Sequence, residues 1–288
     1  MGINNQSDYA FKIKAGEKIK LHDYDPNFTS GLNKEDAAAH FAKYSAELEE
    51  LQELLIASGS HSVLVVLQGM DTSGKDGTIR HVMSTLNPQG CRVISFKVPT
   101  ANEQAHDFLW RIHLETPQKG VIGIFNRSHY EDVLVVPVHG LKPEEVVEKN
   151  YEHINNFERL LADSGTIILK FFLHISKKEQ LARLKERELN PAKSWKMSVA
   201  DYKERELWDK YQRHYEEALS RCSTEHAPWW LVPADAKWYR NLAVAETLVE
   251  HLRPYRDKWK KALDERGQAA IKELQAARAR GEINNSHS

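Results

Sequence analysis

"LVVLQGMDTSGKDGTIRHVM", residues 64–83, is the stretch whose reading decides the fold. Its centre, Gly69 to Asp76, follows the phosphate-binding pattern G-x-x-x-x-G-K-[ST] up to its last position, where Asp76 replaces the hydroxyl residue. Before it, residues 63–67 form a short apolar run rich in β-branched side chains, the mark of a strand buried on both faces. After it, residues 75–86 read as a helix stopped by Asn87-Pro88. Glycines at 69 and 74 let backbone N–H groups turn inward onto phosphate oxygens, and the helix N-terminus adds its dipole. Lys75 then reaches the terminal phosphates, with Thr72, Gly77, Thr78 and Arg80 in the same loop and helix. Asp71 is unusual there. Its charge beside phosphate is repulsive unless a cation bridges the two, so it reads as a Mg²⁺ ligand or as a base for an acceptor oxygen. The plain alternative is a strand-to-helix turn that Asp71 merely caps; agreement between motif and context argues against it.

The alternation continues outward from this loop. A helix over residues 34–57, N-capped by Asn33, precedes it. Strands are expected over 92–98, 121–125, 166–174 and 229–232. Helices are expected over 103–115, 143–164, 177–189, 199–220 and 238–252, with residues 190–197 as a loop. This pattern argues for an α/β fold in which a parallel sheet of about five strands is covered on both faces, a three-layer α/β/α arrangement. No internal repeat or linker interrupts it, so residues 1–288 read as one domain. Its appendages are a polar arm over 1–33, a charged helical segment over 178–208 and a helical tail over 257–288. The closing "GEINNSHS" of that tail reads as disordered.

Composition excludes several classes. The chain has 40 Lys and Arg against 41 Asp and Glu, a net charge of −1, so any basic site is local and no nucleic-acid partner is indicated. No apolar run is long enough for a membrane span, and the N-terminus carries no apolar segment of a signal peptide. Cys91 and Cys222 are the two cysteines, which disfavours a disulfide scaffold and suits a reducing cytoplasm.

Three further stretches could carry chemistry. "GIFNRSHYEDVLV", residues 123–135, follows a buried strand and therefore lies at the carboxyl edge of the sheet, where ligands bind in open α/β folds. Arg127 offers a planar fork for phosphate, and Glu131 and Asp132 are adjacent carboxylates suited to a hard cation. A helix start capped by Asn126 or Ser128 is the compatible structural reading. In residues 179–208, Arg183 and Arg187 stand in a charge-rich segment that reads either as a solvated helix pair or, after the fourth strand, as the place where a lid brings arginine onto a transferring phosphate in nucleotide kinases. In "ISFKVPTANEQAHDFLWRIH", residues 94–113, Lys97 and Arg111 could bind an anionic chain. The histidines, including His129 and His139, lack ligand spacing and read as packing or surface residues.

With these stretches in hand, the chain resembles the second polyphosphate kinase family. The motifs that carry the resemblance are "GMDTSGKDGTIRHV", "SFKVPT", "HDFLWRIH", "GIFNRSHYEDVLV", "FFLHISKKEQLARLKER", "WKMSVADYKERELWDKY" and "APWWLVPADAKWYRN", spread over roughly residues 10–255. The resemblance implies a P-loop kinase fold similar to thymidylate kinase, with a helical lid. It implies transfer of a terminal phosphoryl group from inorganic polyphosphate to AMP or ADP. The cofactor implied is Mg²⁺, with Mn²⁺ as its substitute, and the assembly a homodimer or homotetramer. The phosphate loop falls on Gly69, Asp71, Gly74 and Lys75, the second motif on Asn126, Arg127, Ser128 and Tyr130, and the lid arginines on the segment from Arg183 to Arg187. "NRSHYED" resembles the branches that use AMP, and most closely the bifunctional branch that carries AMP to ADP and then ATP. Asn126 stands where thymidylate-type kinases often have an acidic residue, so the metal is left to Asp71 with Asp132 or Glu131. The rival readings are an ATP-dependent nucleotide or small-metabolite kinase on the same fold, and a non-catalytic polyphosphate- or nucleotide-binding module.

Overall fold

The computed structural model describes residues 7–191 and 199–283. Six strands form one sheet: β1 Phe11–Lys12, β2 Ser62–Gln68, β3 Cys91–Ser95, β4 Ile122–Asn126, β5 Thr166–His174 and β6 Trp229–Pro233, in the order β1-β6-β5-β2-β4-β3. β2 through β6 pair in parallel, and β1 joins β6 antiparallel. The helices are α1 Lys34–Ser58, α2 Lys75–Val82, α3 Ala101–Gln104, α4 Trp110–His113, α5 Val135–Val138, α6 Glu144–Asp163, α7 Lys177–Leu189, α8 Val199–Glu206, α9 Trp208–Arg221, α10 Lys237–Leu252 and α11 Arg256–Ala279.

The sheet separates two cores because strand side chains alternate between faces. Val63, Val65 and Leu67 of β2 enter a cluster with Leu48, Leu51 and Leu55 of α1 and with Ala243 and Leu248 of α10. Leu64 and Val66 enter the opposite cluster with Ile154 and Phe157 of α6 and Tyr215 and Leu219 of α9. A strand apolar at every position is what burial on both faces demands, and each such side chain contributes roughly 1.5–3 kcal/mol. Trp229 and Trp230 follow the same rule, one in each core, and neither keeps an exposed edge.

Several boundaries differ from expectation. The N-terminal arm is anchored: Phe11–Lys12 adds the sixth strand, and Ile13, Ile19 and Leu21 are buried. The expected helix over 103–115 is two short ones. Thr100 opens α3 with a reciprocal cap on Glu103, and the Asp107 side chain then accepts from Leu109 N–H, which restarts the chain as α4. The expected helix over 199–220 divides at Leu207 into α8 and α9. α2 ends at Val82, earlier than expected. Residues 129–138, without a sequence assignment, form a 3-10 turn at His129–Val133 and then α5. Most of the expected loop 190–197 and the end of the expected disordered tail lie outside the described residues. No described helix is long and apolar enough to cross a membrane.

Candidate active site

Parallel pairing sets Leu67 of β2 opposite Asn126 of β4, so the chain leaves both strands at one edge. The segment after β2 is the glycine loop and the segment after β4 carries Arg127. Gly69 has φ +150°, and a Cβ there would sit 2.8 Å from the Leu173 carbonyl oxygen, so only glycine fits. Thr72 and Arg127 adopt φ of 66° and 63°, conformations that cost a side-chain-bearing residue of order 1–3 kcal/mol and that cluster at functional sites. Both strained residues lie in the two motifs that meet here.

At the mouth of the loop, Arg127 bridges two carboxylates. Its guanidinium donates to Asp71 Oδ1 at 3.1 Å and approaches Glu131 Oε2 at 3.5 Å. Burial alone would lower the Arg127 pKa, but Glu131 and Asp71 outweigh it and raise it. Burial raises the Glu131 pKa, against the pull of Arg127, Lys75 and a hydrogen bond from Gln68. Lys75 is buried beneath the loop and donates to the Gly69 and Met70 carbonyls at 2.7 and 3.3 Å. Desolvation lowers its pKa, partly opposed by Asp71. The hydroxyls of Thr72, Ser73 and Thr78 are buried around this loop with no hydrogen-bond partner. Unpaired buried hydroxyls cost about 1–3 kcal/mol each, although none of the three lines the cleft itself.

The cleft is walled by Gly69, Met70, Asp71, Arg127 and Glu131 on one side, and by Gln180 of α7, Glu204 of α8 and Tyr211 and Tyr215 of α9 on the other. Val135 and His139 close its end. Gln180 donates to the Asp71 carbonyl, and Arg205 of α8 donates to both the Lys177 carbonyl and Gln180 Oε1, tying the helical segment to the loop. Glu204 accepts from Tyr211 Oη at 2.7 Å and lies 3.1 Å from His139 Nε2. These far-wall residues were not singled out by sequence reasoning. The i, i+4 tyrosines on α9 were the available signal; His139, read as a surface residue, is exposed but forms part of the wall.

Five of the expected ligand residues do not line the cleft. Tyr130 is fully buried: its hydroxyl donates to Glu158 at 2.9 Å and accepts from Lys170 at 2.8 Å, so it has no access to the cleft. Ser128 is buried and caps the 3-10 turn through Tyr130 N–H, while accepting from Gln68. Arg111 is buried and donates to the Lys97 carbonyl, bracing the segment after β3. Arg183 is buried and spends its donors on carbonyls behind the phosphate loop. Asp132 accepts from Lys142 at 2.7 Å and does not line the cleft, whereas Glu131 does. Asn126 donates to Asp76 at 2.8 Å, joining the end of β4 to the first turn of α2. Lys97 and Arg80 are exposed, and Arg187 is half-buried on α7.

No group of three or more His, Cys, Asp or Glu side chains gathers as a metal site among the described residues. Mg²⁺ does not require one, since it takes one or two carboxylates together with substrate phosphate oxygens. Asp71 and Glu131, both on the cleft wall, fit that donor set, whereas Asp132 is held by Lys142 away from it.

Known proteins resemble this chain in sequence and fold. The family model described as Polyphosphate kinase 2 matches residues 31–261. An AMP/ADP-polyphosphate phosphotransferase of Meiothermus ruber is 54% identical, covering 84% of this chain and 91% of its own. An ADP-polyphosphate phosphotransferase of Rhodopseudomonas palustris is 45% identical, covering 83% and 88%. The crystal structure of Polyphosphate Kinase 2 from Arthrobacter aurescens superposes with a TM-score of 0.82 at 43% identity, covering 85% of this chain and 88% of that one. A phosphate loop with its acid inside, facing an arginine held between two carboxylates, is thus found in a chain that belongs to the polyphosphate kinase 2 family.

Proposed function

We propose that this protein transfers the terminal phosphoryl group of inorganic polyphosphate to AMP and to ADP, forming ADP and ATP. The observation that carries the reading is the Gly69–Lys75 loop, whose Asp71 meets Arg127 of the second motif at the cleft. Its kinship with an AMP/ADP-polyphosphate phosphotransferase supports the choice of substrates.

In this reading the loop holds the donor phosphates through backbone N–H groups and the hydroxyls of Thr72, Ser73 and Thr78. Lys75 exchanges its carbonyl partners for phosphate oxygens, and a guanidinium donor of Arg127 does the same. Both spread the charge that develops on the transferring group, which is most of what a protein contributes to phosphoryl transfer. Asp71 and Glu131 would hold a divalent cation, Mg²⁺ or its substitute Mn²⁺, which supplies charge neutralisation of the phosphates when bound. The acceptor nucleotide enters the side of the cleft lined by Tyr211 and Tyr215, the aromatic edge of an otherwise polar cleft. Helices α7 and α8, which give Gln180 and Glu204 to the cleft wall, exclude water that would otherwise hydrolyse the donor, and Arg187 of α7 is the candidate lid arginine.

Incubation with polyphosphate, Mg²⁺ and AMP, followed by chromatography, tests the reading. ADP followed by ATP is expected. Turnover with ATP as donor and none with polyphosphate would replace it by an ATP-dependent kinase. A soluble cytoplasmic enzyme acting as a homodimer or homotetramer is part of the same proposal, and light scattering of the purified chain measures the assembly.

A further inference from the structure

Behind the phosphate loop, on the side away from the cleft, two arginines share one buried space. Arg183 of α7 and Arg240 of α10 are 6% and 2% exposed. Arg183 donates to the carbonyls of Thr72 and Ser73 at 3.0 and 3.1 Å, and to those of Ala234 and Asp235 at 2.6 and 2.7 Å. Its Nε donates to Glu179 at 2.8 Å. Arg240 approaches the Ser73 carbonyl at 3.4 Å and otherwise donates to the neutral amide of Asn241. A Cβ at Gly74 would overlap the Arg240 guanidinium, so the second glycine of the motif is fixed by this arginine as well as by its φ of +107°. The pair therefore contacts the loop directly from behind.

Two consequences follow from elementary chemistry. A trans peptide points its C=O and the next N–H in opposite directions. Arginines that hold the Ser73 carbonyl on the back of the loop thus turn the Gly74 N–H away from themselves, and Gln180 does the same for Thr72 by taking the Asp71 carbonyl. The second consequence is charge. Among the described residues, Glu179 on Arg183 is the one carboxylate that contacts either buried guanidinium group, so an excess positive charge is held in low dielectric next to the loop. Burial, and then Arg183, push the Arg240 pKa down to about 9, the expected sign for a cation short of counter-charge.

We infer that Arg240, with Arg183, is a positioning residue of the donor site: it sets the orientation of the loop peptides and supplies an under-compensated charge that selects a polyanionic chain. The inference rests on the reading of this loop as the polyphosphate-binding site. It also explains why an arginine far along the sequence, in "ADAKWYRN", belongs to the site without lining the cleft.

The test compares wild type with Arg240→Met and Arg240→Lys. Two readouts are taken: the rise in melting temperature caused by long-chain polyphosphate without acceptor, and the KM for polyphosphate and for AMP during turnover. Arg240→Met removes charge at similar volume. It is expected to lose most of the polyphosphate-induced rise and to raise the polyphosphate KM about tenfold or more, with the AMP KM within about twofold. Arg240→Lys restores charge and is expected to recover part of both. A merely structural brace would lower the melting temperature of the unliganded variant and leave the polyphosphate-induced rise and KM unchanged; that result overturns the inference. If Arg240→Met does not fold, Arg240→Gln, which removes the charge but keeps a hydrogen-bond donor, decides: a polyphosphate KM equal to wild type overturns the inference, and a raised one with an unchanged AMP KM supports it. Wild type that binds polyphosphate without turnover sinks the proposed activity, and the thermal readout still judges this inference. Wild type that neither binds nor turns over polyphosphate sinks both.

Discussion

Two charged clusters grow from the same few residues, and they behave oppositely. Arg127 and Glu131 face the cleft, where Arg127 keeps 41% of its side chain exposed, with Asp71 at 3.1 Å and Glu131 at a longer 3.5 Å. His129 and Tyr130, between them in sequence, point into the core. There Lys170 donates to Glu158 at 2.6 Å, to Tyr130 Oη at 2.8 Å and to the Cys222 carbonyl at 2.6 Å, with both members of the ion pair fully buried. His129 Nε2 adds a contact to Glu158 at 3.1 Å. The first cluster is loose and able to exchange protein partners for phosphate. The second is closed and holds the peptide from which the first projects. What separates the two here is access: the cleft pair is partly exposed and the core pair is fully buried.

The largest effect expected from this contrast is on activity. Lys75→Ala and Arg127→Ala should each reduce phosphoryl transfer by ~10³ or more while leaving the melting temperature close to that of wild type. Near-normal turnover of either purified variant would sink the assignment. Lys170→Met should do the reverse of this pattern in its first effect. Leaving Glu158 buried without its cation costs about 3–5 kcal/mol, read from urea unfolding, and a loss under about 1 kcal/mol would show that the core cluster is not what holds the segment.

A smaller effect concerns pH. Burial raises the Glu158 pKa, but Lys170 and His129 overcome it and the net shift is downward. A carboxylate lowered in the folded state contributes stability above its unfolded pKa, about 4.3, and that contribution is lost as pH falls through the folded value. Wild type should therefore lose melting temperature below about pH 4, and Lys170→Met should show a flatter acid limb. An identical acid limb in both would remove Glu158 from the account. The smallest effect separates the two adjacent carboxylates. Glu131→Gln should raise the Mg²⁺ concentration needed for half-maximal activity by about tenfold, and Asp132→Asn by less than about threefold, because Lys142 already occupies Asp132. The opposite order would return the metal to Asp132.

Much of this was legible in the chain. The apolar run into β2, the two glycines and Lys75 gave the loop and its place at the sheet edge, because buried parallel strands and phosphate loops impose local patterns. The alternation of elements gave the layered fold; the short β1 escaped notice because two residues carry no period. Asp71, Lys75 and Arg127 were named as site residues from the same motifs, and the structure brings them within one cleft and its floor.

What the sequence could not decide is direction. His129–Val133 is a 3-10 turn, in which neighbouring side chains lie about 120° apart, so "HYED" sends Tyr130 into the core, Glu131 to the cleft and Asp132 to Lys142. Nothing in the adjacency of two carboxylates says which one turns which way. Arg183 likewise reads as a lid arginine until the loops after β2 and β6 place four carbonyls around it, and Arg240 is invisible until α10 packs behind Gly74. The sequence by itself determined the loop, the order of strands and helices and the family, since each rests on residues close together in the chain. Only the tertiary structure decided which charges stay loosely partnered in the cleft and which are spent in the core. That depends on carbonyls and carboxylates brought together from segments more than fifty residues apart, as when Arg183 reaches Thr72 and Ala234 at once.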